Sequence, residues 1–301
     1  MPRTFSLVLN SSNVVPNSNN SQYTYQFIGG NFTCKNGKIS LSSATIPYSW
    51  FNISPQWNNQ LIRFSYTVTG TVNTLSNWTI PTGFYTTEDL NNFLILQMQN
   101  INYYLINTAG QYVFYLSLST NQQLYANQLV LTTMPAASNF TYNAGTGIWT
   151  GNAGTAWASW TTPVGFPGFP TVATTPGVFF PTSGSVASVL GFTTGVTYGN
   201  STSNVSQTSQ TTPVATPVNS LILLCNLVNN RVTVPSNILD SIPIESTTFG
   251  ANLIFSPSFQ RWVSVQDGTY NTLSISICDD NLIPIQAQDP HLLITLVLDC
   301  D

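Results

Sequence analysis

The chain has 301 residues, of which 42% are hydrophobic but only 5% charged, and its net charge is −4. This supplies a sizeable core with far less charge than the roughly 25% of ordinary domains, so Asn, Ser, Thr and Gln must cover the surface. Six scattered cations make no phosphate-binding patch, and the longest apolar runs (221–225 and 292–298) fall well short of the ~20 residues of a membrane helix.

In chain order, residues 4–10 and 23–29 alternate apolar and polar side chains and predict strands. Asn36-Gly37 sits between two candidate strands in 31–46 and predicts a two-residue hairpin. Residues 59–70 read as a further strand. The stretch IPTGFYTTEDLNNFL (80–94) predicts a helix over about 87–101. Thr86 or Thr87 serves as N-cap, and with Thr86 as the cap Asp89 falls at the third helical position of a capping-box variant. Glu88 and Asp89 both face the positive end of the helix dipole. Leu90, Phe93, Leu94, Met98 and Ile101 form one apolar stripe. The two carboxylates are thereby occupied in starting a helix rather than in acid–base chemistry.

Beyond the helix, 103–119 predicts a hairpin turning at Asn107–Gly110, and 127–133 predicts a strand. Residues 219–234 read as a strand, an Asn-Asn turn and a short strand. Asp267-Gly268 marks a second hairpin turn in 261–280, and 291–299 reads as a buried strand. Many short strands separated by turn residues argue an all-β sandwich or jelly roll. The region from about 135 to 187 differs, because eleven of the 19 glycines lie between 145 and 199 and Trp149, Trp157 and Trp160 cluster there. It reads as an inserted, loop-rich subdomain. Its rings, with Phe166 and Phe169, make either the small core of that insertion or an exposed aromatic surface for a partner or a glycan. Residues 200–217 read as a polar, mobile loop.

Catalytic chemistry finds little support. The single histidine, His291, follows a proline and opens an apolar strand, a structural setting. There is no phosphate loop and no cofactor motif. The cysteines (34, 225, 278 and 300) lack metal-type spacing. Cys225 and Cys278 read as buried free thiols, and no disulfide framework is expected in a reducing cytoplasm. Asp279 and Asp280 read as turn residues and Asp299 and Asp301 as solvated terminal ones, with a calcium site from these aspartates as the alternative. The start of the chain shows no signal-peptide pattern, and the Asn-x-Ser/Thr sites at Asn31, Asn52, Asn77 and Asn139 are not read as glycosylated. A monomer so short of charge lacks repulsion against association, which points to a surface that meets other subunits.

Several segments stand in a recognisable order: IPYSWFNI (46–53), IPTGFYTTEDLNNFL (80–94), VLGF (189–192), LLCNLVNNRV (223–232), PSNILDSIPI (235–244), FSPSFQRWVSV (255–265), LSISICDDNLIPI (273–285) and HLLITLVLD (291–299). Over most of 1–132 and 187–301 this series resembles the penton, or minor capsid, proteins of virophages and polinton-like viruses. The resemblance implies a single jelly roll of eight antiparallel strands spanning 1–134 and 188–301, with 135–187 as an outward-projecting insertion. It implies a homopentamer at the fivefold vertex of an icosahedral virion, in contact with the major capsid protein and made and assembled in the infected cell's cytoplasm. The lack of a catalytic constellation, of a basic arm and of a long apolar run leads to the expectation of no enzyme activity, no cofactor, no direct nucleic-acid contact and no membrane span. The competing reading is an attachment β-sandwich that binds a host receptor or glycan.

Overall fold

The computed structural model describes residues 3–68, 72–153, 158–244 and 248–301. The chain forms two compact units, Met1–Phe51 with Val218–Asp301, and Asn52–Pro217. Both are built mainly from antiparallel strands.

Eight strands dominate the first unit: β1 (Arg3–Leu9), β2 (Gln22–Gln26), β3 (Lys38–Pro47), β4 (Ser220–Cys225), β5 (Ile238–Pro243), β6 (Asn252–Phe255), β7 (Thr272–Cys278) and β8 (Leu293–Cys300). One sheet has the order β1-β8-β3-β6, and another has the order β5-β4-β7-β2. Strands of the two sheets touch, β5 against β3 and β2 against β1. Alternation makes each sheet one-faced. Leu273, Ile275 and Ile277 of β7 and Ile294, Leu296 and Leu298 of β8 are fully buried, while the residues between them are less so.

Strand β3 keeps both its halves buried by carrying one extra residue. Its register against β8 passes from Ser43↔Thr295 to Leu41↔Leu296, which leaves Ser42 unpaired. The bulge shifts the inward parity from Ile39 and Leu41 to Ala44 and Ile46, all of them buried.

In the second unit, strands Leu61–Val68 and Val72–Thr79 pair as neighbours, and Gly177–Phe179 and Thr197–Gly199 extend their sheet. A three-stranded sheet joins Val205–Thr208, Ala126–Leu131 and Leu116–Asn121. A five-stranded one orders Phe140–Asn143, Ile148–Gly151, Trp160–Thr161, Leu105–Asn107 and Tyr112–Val113. Helix α1 (Thr87–Asn100) buries Leu90, Leu94 and Met98 at helical spacing and packs on Leu116–Asn121. One hydrophobic cluster runs through this whole unit, from Ile53 through Phe64, Leu94 and Phe140 to Tyr198. The 135–187 stretch therefore shares its core with strands 61–68 and 126–131 and with α1. The compact units divide at 51/52 and 217/218, not at the 134/135 and 187/188 boundaries suggested by composition.

Several local expectations are corrected. Asn36-Gly37 does not close a hairpin: Phe32–Cys34 pairs with Gly268–Tyr270, and Lys38–Pro47 pairs with β8 and β6. Asp267-Gly268 likewise joins strands that pair elsewhere, Val263–Ser264 with β3 and Gly268–Tyr270 with Phe32–Cys34. No strand forms over 231–234. Within 200–217, Val205–Thr208 is a strand, paired to Gln128–Leu131 by the register Gln128↔Thr208. A disulfide is present: Cys34 is bonded to Cys300. Cys225 and Cys278 are free and buried. The hairpin at Asn107–Gly110 does form, with Leu105 opposite Val113 and Ile106 opposite Tyr112. Gly110 takes the left-handed conformation (φ 78°) at its turn.

Candidate interaction surfaces

Among the described residues no group of three His, Cys, Asp or Glu could hold a metal ion. His291 is exposed, and its Nδ1 lies 2.6 Å from Asp289 Oδ1, which also accepts from the His291 backbone N–H at 2.8 Å. These bonds, the backbone one foremost, hold the Asp289 carboxyl below its usual range. Asp279 is buried and closes a turn, its Oδ1 accepting from Asn281 and Ile283 N–H. The nearly buried Asp240 takes Arg261 Nη1 at 2.9 Å. A narrow cleft beside α1 is lined only by apolar side chains, among them Ile62, Leu90, Phe93 and Leu190, so nothing in it would orient a substrate. Among the described residues no helix is long and apolar enough to cross a membrane.

The helix start is a closed local network. Thr86 Oγ1 accepts from Asp89 N–H at 3.1 Å, and Asp89 Oδ2 accepts from Thr86 N–H at 2.9 Å and from Thr86 Oγ1–H at 2.6 Å. The hydroxyl bond first, then the backbone bond, lowers the Asp89 carboxyl below its ordinary value. Glu88 is exposed in the same first turn, with no hydrogen-bond role in the cap.

The aromatic residues of 135–187 divide. Phe169 is buried and packs on Phe140, Trp149 and Phe166, with ring centroids 4.9–5.3 Å apart. Trp149, Trp160 and Phe166 are half-buried against the same cluster. Trp157 lies outside the described residues. Phe169 is thus a core ring, while Trp149, Trp160 and Phe166 pack against that core and keep part of their surface exposed. Register still aligns Tyr142, Trp149, Trp160 and Asn107 in one row across four strands. Tyr142, which composition did not single out, is half-exposed at the end of that row.

Charge is distributed very unevenly. Between residues 52 and 217 the sequence carries Arg63, Glu88 and Asp89 and no other Asp, Glu, Lys or Arg. Buried carboxamides provide polar links here instead. Asn52 receives Tyr85 N–H on Oδ1 (2.8 Å) and donates from Nδ2 to the carbonyls of Tyr85 (2.8 Å) and Ala215 (2.9 Å). Buried Asn127 donates to Leu190 O and accepts from Thr87 Oγ1, so it ties the start of α1 to a strand and to the 187–190 turn. Gly191 ends that turn with φ +79°, and a Cβ there would stand 2.3 Å from Thr211 O.

No family model matches the sequence, and no curated protein matches it. Among solved structures, the crystal structure of the selenomethionine-labelled mavirus penton protein matches 100% of this chain and 98% of its own, at 10% identity and a TM-score of 0.47. The chain is similar over its full length to a penton protein.

Proposed function

We propose that this chain is a structural capsid protein that forms the pentameric vertex of an icosahedral virion, and that its first unit is a single jelly roll. The observation that carries the reading is the order of the two sheets. In β1-β8-β3-β6 and β5-β4-β7-β2 the first strand neighbours the eighth, the second the seventh, the third the sixth and the fourth the fifth. A long antiparallel ribbon rolled up on itself has this order, and such jelly rolls are a recurrent architecture of viral capsid domains. A fold alone does not assign a function, and two further features support the choice. The ordered landmarks of the sequence resemble penton proteins. The scarcity of charge also suits a ring in which each subunit buries one patch against a different patch of the next, because uncharged polar groups are cheaper to desolvate than ions.

In this reading residues 52–217 are an insertion between the third and fourth strands of the roll, and 135–187 faces outward. The partners are four further copies and the major capsid protein. The test is native mass spectrometry with electron microscopy of the purified chain, alone and with the major capsid protein. A species five times the 32.8 kDa chain supports the vertex. A chain that stays monomeric or trimeric even with the major capsid protein overturns it.

The near absence of charge over 52–217, with Tyr142 half-exposed beside Trp149, favours a second role in attachment to a neutral glycan or host receptor. Ring faces stack on sugars, and carboxamides bond their hydroxyls. Glycan-array binding that Tyr142→Ala abolishes would establish it, and binding only to charged glycans would refute it.

A further inference from the structure

The disulfide joins Cys34 and Cys300 across 266 residues of sequence, and both are buried. Non-covalent contacts already hold the two segments together. Asp301 N–H donates to Lys35 O at 3.2 Å and Asn36 Nδ2 to Asp301 Oδ2 at 3.3 Å, while Asn36 N–H anchors the first segment to Asp267 Oδ1 at 2.7 Å. Each cysteine also ends a strand fixed by its sheet, Phe32–Cys34 on Gly268–Tyr270 and β8 between β1 and β3. Gly37 makes room for the sulfurs: a Cβ there would stand 2.1 Å from Cys34 Sγ and 3.0 Å from Cys300 Sγ.

We propose that the first unit completes its fold with Cys34 and Cys300 reduced, and that their disulfide closes afterwards as a covalent clasp when the protein meets an oxidising medium. For a capsid protein this places closure after release from the cytoplasm, and that timing alone rests on the function proposed above.

The oxidant is a low-molecular-weight disulfide. One cysteine thiolate attacks it, forming a mixed disulfide and releasing a small thiol. The second cysteine attacks the protein sulfur of that mixed disulfide and releases the other small thiol. Two protein thiols are oxidised, the small disulfide is reduced by two electrons, and the two protons end on the released thiols. Access comes from transient opening at the end of β8. Cys225 and Cys278 stay out of the exchange. On the paired strands β4 and β7 they are offset by three residues, with Cys225 opposite Ile275 and Ile222 opposite Cys278. That offset is about 10 Å, beyond the reach of a disulfide.

The experiment uses the full chain made in a reducing cytosol and quenched with N-ethylmaleimide in denaturant, before and after incubation with oxidised glutathione. The expected result is four free thiols beforehand, with a cooperative thermal transition and a strand-type circular dichroism spectrum. Afterwards two thiols remain, peptide mapping finds Cys34 linked to Cys300, and Tm rises by about 10 °C or more, as a loop this long implies. The double variant Cys34→Ser/Cys300→Ser should match the reduced protein in Tm and ignore the oxidant. Gly37→Ala should slow thiol loss at least several-fold. Three results would each overturn the proposal: a reduced chain without a cooperative transition, a bond already present in the quenched cytosolic protein, or oxidation that falls on Cys225 or Cys278. Native mass on the same samples separates the two readings. A pentamer whose thiols never close sinks the clasp alone, and a clasped chain that never assembles sinks the vertex alone.

Discussion

Asn52 provides the sharpest test of how the uncharged unit holds itself together. It is 1% exposed and makes three side-chain hydrogen bonds, all to backbone groups of Tyr85 and Ala215. Asn52→Ala removes the three bonds and strands one N–H and two carbonyls. At about 1–3 kcal/mol for each buried orphan, partly relieved by water or relaxation, the loss comes to about 3–5 kcal/mol. Asn52→Asp retains the acceptor for Tyr85 N–H but turns a carboxylate oxygen toward two carbonyl oxygens, so at neutral pH it should cost at least as much. Protonation restores one donor and so raises the carboxyl's folded pKa above its unfolded one; this variant alone should gain on the wild type as pH falls from that raised value, the gain being complete near the unfolded pKa of about 4. Urea unfolding followed by tryptophan fluorescence reports mainly on this unit, which holds Trp57, Trp78, Trp149, Trp157 and Trp160 of the seven. With an m-value of about 2 kcal/mol/M, the Asn52→Ala midpoint should fall by about 2 M. A fall under about 0.5 M, or an Asn52→Asp protein as stable as wild type at pH 7, would refute the argument that carboxamides carry the polar framework here.

Four further outcomes are expected. Thr86→Ala should cost about 1 kcal/mol in urea unfolding and Thr86→Ser much less, because serine retains the capping oxygen. Asp89 has a folded pKa below its unfolded one, so its contribution is present above the ordinary carboxylate range and is lost as pH falls through the lowered value; Asp89→Asn should flatten the acid limb of the stability–pH curve. Phe169→Ala should cost about 3–5 kcal/mol and Tyr142→Ala less than about 1 kcal/mol, the contrast between a core ring and a half-exposed one. Burial pushes Tyr48 up to about 12, and burial with the Asp289 charge does the same for Tyr23. Their protonated state favours the fold below pH 10, and that advantage should be lost between about pH 10 and 12, seen as tyrosines that ionise at 295 nm only as the protein unfolds.

The parts of the fold legible in the sequence are those that depend on neighbours in the chain. Helix α1 announces itself through Thr86, Asp89 and the Leu90–Leu94–Met98 stripe, all within one segment. Strand β8 does so through strict alternation from Ile294 to Cys300. Pairing is another matter. Asn36-Gly37 signals a turn correctly, but the strands flanking it find partners more than 200 residues away, where burial rather than turn chemistry sets the choice. The disulfide escaped for the same reason, since a separation of 266 residues is no pattern. Gly37 is an ambiguous sign, because it reads as a turn glycine yet its position against two sulfur atoms is what requires it. The dense glycines of 145–199 mark irregular backbone but not the edge of a compact body, since Leu61–Val68 looks like any strand of the first unit and packs with the second. Tyr142 carried no signal beyond an ordinary aromatic, and only register places it beside Trp149.

The bulge at Ser42 sets a rule for how this sequence can vary. Apolar exchanges at Ile39, Leu41, Ala44 or Ile46 alter volume and leave every neighbour in place. Deleting one residue at Ser42 gives a regular strand but turns one of its halves over, so that either Ile39 and Leu41 or Ala44 and Ile46 leave the face on which they are now buried. Along β3, then, the letters of the sequence are free to drift while their number is not.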